Sequence, residues 1–453
     1  MSTLTKITEF LAPIAATSKR TEKEALLATA ANTDWFASFV WIMQATYDGR
    51  LSYNVTAKLP KQDVWPATEP EYAINDFYVL LHYLSSKSGA NAADKKRVAD
   101  FLASLPLPAA TLCTRVINRD LRAGFTDTTY NTVFPEHAVY IHPYMRCSLL
   151  NAKTAAKLPY PCYSQLKLDG MYVDIVVNKE KQTVVYYSRV GNPFPSLNTP
   201  ARDAALVAAV PTSGSIQGEA IVVIDGAELD RQTGNGILNS DAADPETVVI
   251  YAWDFVPLAD YTRKKCNTPY STRLSNVHEI QAKVDFLRAV ETRIVNNLAE
   301  ILDHFHSIAD KGLEGTIVKT MAATWKHGTS SQQFKVKIRA EADLQLIGWN
   351  PGKGKFEGMV GSIVVTSSDG IVVTNISGMT DKTRKFVTEN IEQMIASNVI
   401  VACKFNSIVS SKSNVGKYSL YLPAIEEFRK DKHTADSYAE IRAILENYEF
   451  SIG

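Results

Sequence analysis

An excess of either charge is missing from this sequence. Lys+Arg and Asp+Glu both number 48, so the formal net charge is zero. Wrapping a polyanion by bulk charge alone is thereby disfavoured, while a local basic channel on a balanced surface is not. Cysteine is sparse. The five are Cys113, Cys147, Cys162, Cys266 and Cys403, with no two at CxxC spacing. Their scatter argues against a cysteine zinc site and a disulfide framework, and fits a reducing cytoplasm. Long apolar runs are also lacking. The most apolar stretch, residues 35–43, falls short of the ~20 residues that span a bilayer, and Lys6 and Glu9 interrupt any leader-like start. No internal repeat or low-complexity tract is present. A soluble cytoplasmic protein without membrane association is expected.

What is present is ordinary globular composition: 453 residues, 45% hydrophobic and 21% charged. That length accommodates two to four domains of ~100–200 residues. Residues 5–132 read as helical, with apolar positions at three- and four-residue spacing, as in Phe36, Phe39, Val40 and Met43. Leu59-Pro60 and Gly89 mark breaks. After Pro143 the composition shifts to short β-branched and aromatic runs at 172–177, 183–187, 215–224 and 248–253, with a helical stretch at 274–289. This is an α+β pattern with antiparallel sheets. After Ala340 come further strand-like runs at 344–348, 361–366, 370–376, 400–407 and 418–422. They fit a small β-barrel of the oligonucleotide-binding type, and equally another small β-domain. The expected division is therefore 1–140, 141–340 and 341–453, a multidomain α+β chain with an all-α first part.

Lys167-Leu168-Asp169-Gly170 sits between two strand-like runs. If the segment is extended, Lys167 and Asp169 share one face while Leu166 and Leu168 point into a core. Gly170 allows a turn or a close approach to the backbone. A lysine amine becomes a nucleophile when burial and nearby cations lower its pKa. A surface lysine in a hairpin is the plain alternative, and four residues do not decide between the two.

More pieces follow in order. They are Ser188-Arg189-Val190-Gly191-Asn192, Gly218-Glu219-Ala220, Tyr251-Ala252-Trp253-Asp254-Phe255, Leu313-Glu314-Gly315, Phe334-Lys335-Val336-Lys337 and Arg429-Lys430-Asp431-Lys432. Each has a structural reading. Glu219 and Glu314 could be solvated carboxylates, Trp253 a core aromatic, and Lys335 with Lys337 an exposed strand face. Together they supply what nucleotidyl transfer needs. Cations neutralise a leaving pyrophosphate, carboxylates hold a metal through oxygen, and an aromatic face stacks on a base.

This ordered set resembles the six nucleotidyltransferase motifs of ATP-dependent DNA ligases, most closely the bacteriophage T4 type. The resemblance runs from about Tyr163 to Lys432 and includes Gln165-Leu166-Lys167, Trp253-Asp254-Phe255-Val256-Pro257 and Gly312-Leu313-Glu314-Gly315. Upstream, Asp120-Leu121-Arg122-Ala123-Gly124 is similar to a segment of ligase DNA-binding domains. The resemblance implies a helical DNA-binding domain, an adenylation domain and an OB-fold. It also implies an enzyme that seals nicks in duplex DNA during replication, repair and recombination. ATP, as covalent AMP, and Mg²⁺ would be its cofactors, nicked double-stranded DNA its partner, and a monomer its state.

Roles follow position by position. Lys167 would take AMP, with Asp169 and Gly170 completing its motif. Gln165 and Leu166 would read the adenine edge through their backbone. Arg189 would contact the phosphate of the nick or of AMP. Glu219 would hold the ribose and, with Glu314, the metal. Trp253 would stack on adenine, and Arg273 falls where ligases carry an arginine after that aromatic. Lys335 and Lys337 would grip the α-phosphate. Arg429 and Lys432 would orient pyrophosphate, on a barrel hinged near residues 339–341.

One departure stands out. The family carries Arg two residues after the motif glycine, and here Tyr172 stands. A phenol cannot replace a bidentate guanidinium, so another cation supplies that contact or phosphate handling differs. RNA ligases and mRNA-capping guanylyltransferases share the lysine motif, but the helical first domain favours DNA ligase. A non-enzymatic single-strand binder leaves the motifs before residue 340 unexplained. NAD⁺-dependent ligases carry a cysteine zinc module that this chain lacks.

Overall fold

The computed structural model describes residues 2–240, 243–309, 311, 313–336, 340–352, 356–410, 416–421, 423–429 and 431–452. Two compact units emerge: Met1–His142 with Arg189–Asn192, and Pro143–Ser188 with Pro193–Gly453.

The first unit is built on the α-helices Thr3–Ala16, Arg20–Ala28, Phe36–Tyr47, Ala73–Ser85, Ala92–Ala103, Leu107–Ile117 and Asp127–Val133. Leu4, Ile7, Leu11 and Ile14 follow the helical period and are no more than 2% exposed. Asn91 and Asp94 form a reciprocal capping box at the start of Ala92–Ala103. Along 120–125 the chain is irregular but alternating: Leu121, Ala123 and Phe125 are buried, Asp120, Arg122 and Gly124 exposed.

The second unit contains three larger sheets. One orders its strands Met145–Leu149, Gly328–Val336, Thr316–Thr320, Cys162–Leu166 and Thr292–Val295. Another orders Thr183–Tyr187, Met171–Asn178, Gly214–Ile224, Val248–Pro257 and Leu287–Ala289. The third orders Val373–Ile376, Val360–Thr366, Ala340–Pro351, Ile400–Phe405 and Ala424–Arg429.

Several sequence expectations need correction. Pairing is not uniformly antiparallel, because Met145–Leu149 runs parallel to Gly328–Val336 and Leu287–Ala289 parallel to Val248–Pro257. The helix expected over 274–289 is Tyr270–Gln281, starting after Pro269; Leu287 is drawn away into the sheet beside Ile250. The helix Asp381–Ala396 was not anticipated. The Thr380 hydroxyl accepts from the Thr383 amide at 3.1 Å at its start, and Val387, Ile391 and Met394 form its buried stripe. One apolar cluster joins Cys162, Val318 and Phe334 to Leu344, Val401 and Ile441. Of the expected hinge, Arg339 lies outside the described residues, and Ala340 and Glu341 already belong to a strand. Among the described residues no helix is long and apolar enough to cross a membrane.

Candidate active site

Lys167 follows directly on the strand Cys162–Leu166, whose regular pairing stops at Leu166 opposite Thr316. Residues 167–170 are loop, so the two-residue alternation read from the sequence does not apply. Leu166 and Leu168 are only half-buried, and Gln165 is the buried neighbour. The Lys167 amide donates to the Gly315 carbonyl at 2.8 Å. Gly315 sits at φ +128°, which a side chain would strain. This one backbone bond sets Lys167 beside Glu314, and the Lys167 ammonium donates to the Glu314 carboxylate. Both side chains are largely but not fully covered, at 28% and 20% exposed.

Gly170 closes the loop against the strand Gly214–Ile224. A Cβ there would lie 2.6 Å from the Ala220 carbonyl and 2.8 Å from Glu219 Cγ. The motif glycine is therefore required by a close approach to the very strand that carries Glu219. Asp169 faces outward and pairs with Arg231 at 2.9 Å.

A buried polar chain runs behind the nucleophile. The Lys319 ammonium donates to the Tyr270 hydroxyl at 3.1 Å. That hydroxyl lies 2.9 Å from Gln165 Oε1 and 2.6 Å from the Trp253 carbonyl, and the Gln165 amide donates to the Thr292 hydroxyl at 2.9 Å. Lys319 also stands 5.9 Å from the centre of the half-buried Trp253 ring and 4.4 Å from that of Tyr270. Burial pushes Lys319 down to about 8, against the pull of Asp254. Burial pushes the Cys147 thiol up, while Lys319, Lys167 and Lys335 work in the opposite direction. The strand registers set Lys335 opposite Ile317 and Lys319 opposite Tyr163, so these lysines lie on one face of the sheet. Tyr421, on the C-terminal strand Tyr418–Tyr421, is raised by burial, with the negative charges of Asp169 and Glu314 acting in the same direction.

The expected residues are thus only partly gathered. Lys167, Gln165, Leu166, Asp169, Glu219, Trp253, Glu314 and Lys335 line or border this region of the second unit. Lys337 lies outside the described residues. Arg189 belongs to the compact body of the first unit, next to Gly191 at φ +90°. Arg429 and Lys432 are engaged within the C-terminal part: Lys432 donates to Asp343 at 2.7 Å and Asp436 at 2.9 Å, and Arg429 to Asp431 at 2.9 Å and Asp343 at 3.3 Å. Arg273 does not fit nucleotide contact. It is 0% exposed, and its fork grips Asp254 at 2.7 and 3.1 Å while its remaining nitrogen donates to the carbonyls of Thr268 and Ala323. It acts through Asp254, holding the strand that carries Trp253. Sequence reasoning passed over Lys319, Tyr270 and Arg231. Lys319 alone carried a signal, at the end of the run that opens with Glu314-Gly315.

Among the described residues no three His, Cys, Asp or Glu side chains gather as a metal-holding group. Glu219 and Glu314 offer hard oxygen donors, which suit an ion that takes most of its shell from phosphate and water.

Residues 146–337 match the family described as ATP-dependent DNA ligase domain. A DNA ligase of Enterobacteria phage T4 is 23% identical over 350 residues, covering 68% of this chain and 72% of that protein. A DNA ligase of Sulfolobus acidocaldarius is 23% identical over 150 residues, covering 31% of this chain and 24% of that protein. The solved structure named Pmar-Lig_PreS3 has a TM-score of 0.69 at 19% identity, covering 93% of this chain and 99% of that one.

Proposed function

We propose, from the premise that residues 146–337 are an ATP-dependent DNA ligase domain, that this protein seals nicks in duplex DNA with Lys167 as its nucleophile. The observation that carries the assignment is the Lys167–Glu314 contact, on a loop pinned by Gly315 and Gly170. Among the described residues Glu314 is the group in hydrogen-bond reach of the amine, so it can accept the proton that Lys167 must lose.

The chemistry is three displacements at phosphorus. In the first, the neutral Lys167 Nζ attacks the α-phosphorus of ATP. An N–P bond forms, the bond to the bridging oxygen breaks, and pyrophosphate leaves. In the second, a 5′-phosphate oxygen of the nick attacks the same phosphorus and Lys167 departs, regaining its proton. In the third, the 3′-hydroxyl attacks the 5′-phosphate, the new phosphodiester forms and AMP leaves. Each step depends on positioning and charge neutralisation. Lys319 and Lys335 supply positive charge beside the α-phosphate, and Trp253 supplies a face for adenine. Magnesium would be held by Glu219 and Glu314 together with ATP oxygens, and would neutralise phosphate charge.

The remaining parts take supporting roles in this reading. The helical unit binds DNA. An open groove of about 940 Å³ there carries Lys58, Arg115, Arg119 and Arg122 on its wall, a local basic surface on a neutral protein. The C-terminal five-stranded sheet acts as an OB-type clamp whose Arg429 and Lys432 serve the first step. The protein acts as a monomer on nicked duplex.

The test is intact mass after incubation with Mg²⁺ and ATP, beside GTP and NAD⁺, without DNA. A gain of one AMP from ATP alone, absent in Lys167→Ala, is expected. An AMP adduct on Lys167→Ala would overturn the assignment.

A further inference from the structure

Position 172 cannot offer a cation to substrate. Tyr172 is 4% exposed, meets Tyr144 edge-on at 4.9 Å between ring centres, and tilts against Trp253 at 6.0 Å. Its role is to back the Trp253 ring. The nearest lysine-motif carboxylate has nevertheless acquired a guanidinium from elsewhere in the chain. Asp169 accepts from Arg231 Nη1 at 2.9 Å, and the two side chains are 49% and 58% exposed.

Arg231 is held in place from its own element. It opens the helix Arg231–Leu238, whose first turn is fixed by Asp230: Thr233 donates to that carboxylate through its amide at 3.1 Å and its hydroxyl at 2.7 Å. The helix lies over the strand Gly214–Ile224, where a Cβ at Gly234 would be 3.9 Å from Val222. The same strand receives Gly170 and carries Glu219. Asp169, Gly170, Glu219 and Arg231 are thus gathered by the loop that follows Lys167 and the strand it approaches. Among the described residues Asp169 is the one polar partner of Arg231. One contact uses one of a guanidinium's five donors, and the fork that remains matches two oxygens of a phosphate.

We propose that Arg231 binds a substrate phosphate at the rim of the Lys167 pocket, supplying the guanidinium that position 172 lacks. The inference rests on the ligase reading above. Two sources present this chemistry: the terminal phosphates of ATP and the 5′-phosphate of the nick. Asp169 orients the guanidinium without closing it off. An exposed pair of this kind contributes little to stability, so Arg231→Ala should fold.

The test uses the full-length protein in two arms. The first measures the rate of AMP-adduct formation against ATP concentration. The second measures single-turnover sealing of a 5′-phosphorylated nick by enzyme already carrying AMP, without free ATP. Arg231→Ala should fall at least tenfold in one arm, and millimolar guanidinium ion should restore part of that loss. A fall in the first arm identifies the ATP phosphates, and a fall in the second identifies the nick phosphate. Wild-type rates in both arms would overturn the proposal. So would a loss that guanidinium ion leaves unrestored, because the defect would then lie in a displaced Asp169. Wild-type protein that forms no adduct would overturn the ligase reading instead.

Discussion

The ammonium of Lys319 is hydrogen-bonded to the hydroxyl of Tyr270 at 3.1 Å and stands 4.4 Å from the centre of the same ring. Burial holds the lysine at about 8, below its ordinary 10.5. Below pH 8 it is protonated both folded and unfolded, so the cost of burying the charge is present in full. Between pH 8 and 10.5 the unfolded chain keeps a proton that the folded chain has released, and the lysine's contribution to stability rises with pH. Lys319→Met is therefore expected to be more stable than wild type at pH 7, by an amount on the order of 3 kcal/mol, and to lose that advantage as pH approaches 10.5. Urea unfolding of both proteins at pH 7 and 10 measures the difference. A difference independent of pH would sink the assignment.

Arg273 and Asp254 are the most completely buried ion pair in the second unit among the described residues, at 0% and 1% side-chain exposure. Removing one partner leaves the other charged and uncompensated, which costs ~3–5 kcal/mol. Arg273→Ala should lose about that much in chemical denaturation. Replacing both residues with leucine should recover much of the loss. Equal damage from the single and double variants would show that the carbonyl contacts of Arg273, not its charge, matter most.

Gly170→Ala tests the close approach at the nucleophile loop. The clashing atom is the Ala220 carbonyl oxygen, 2.6 Å from the added methyl, and a strand backbone cannot easily yield. The loop must move instead. A displacement of this kind costs ~100-fold in a reaction that depends on alignment, with ~1–3 kcal/mol lost in stability. Adduct formation by a still-folded variant is the readout, and a near-normal rate would mean the loop has slack.

Asp343 ties down both expected pyrophosphate cations, accepting from Lys432 and Arg429, while its own amide donates to Asp436 at 2.8 Å. Asp343→Asn should disturb Arg429 and Lys432 without removing them. If those two serve the first step, adduct formation from ATP should slow about tenfold, equivalent to ~1.4 kcal/mol. Sealing of a nick that already carries AMP should be unchanged. Equal slowing of both reactions would assign Asp343 to general stability.

Much of the fold is legible in local pattern because each element answers to its own neighbours. The strand Thr183–Tyr187 matches the sequence expectation at both ends, and the helical period through Phe36, Phe39 and Met43 reappears as the helix Phe36–Tyr47. Where two tendencies competed, pattern was not enough. The run 274–289 is uniformly helical in appearance, yet Leu287 gains more by pairing beside Ile250 than by extending the helix. Lys167 to Gly170 looked like strand, but Gly170 has to reach the Ala220 backbone and the extended conformation ends at Leu166.

The candidate site divides along the same line. Residue type and order alone supplied the inventory that nucleotidyl transfer needs. A lysine beside Asp-Gly, two carboxylates, a strand-end tryptophan and a basic C-terminal segment are a nucleotidyl-transfer inventory wherever they lie in space. Which side chains face the nucleophile is a matter of long-range pairing, and only the tertiary structure decided it. The ladder that joins 162–166 to 316–320 sets Glu314 on Lys167 and buries Lys319 behind it. The Asp254 carboxylate withdraws Arg273 from the pocket. Arg231, 62 residues beyond Asp169, reaches that carboxylate only because the helix it opens packs over the strand that receives Gly170. Sequence proximity has no access to such contacts, since their energy comes from surfaces that meet only after the chain has folded.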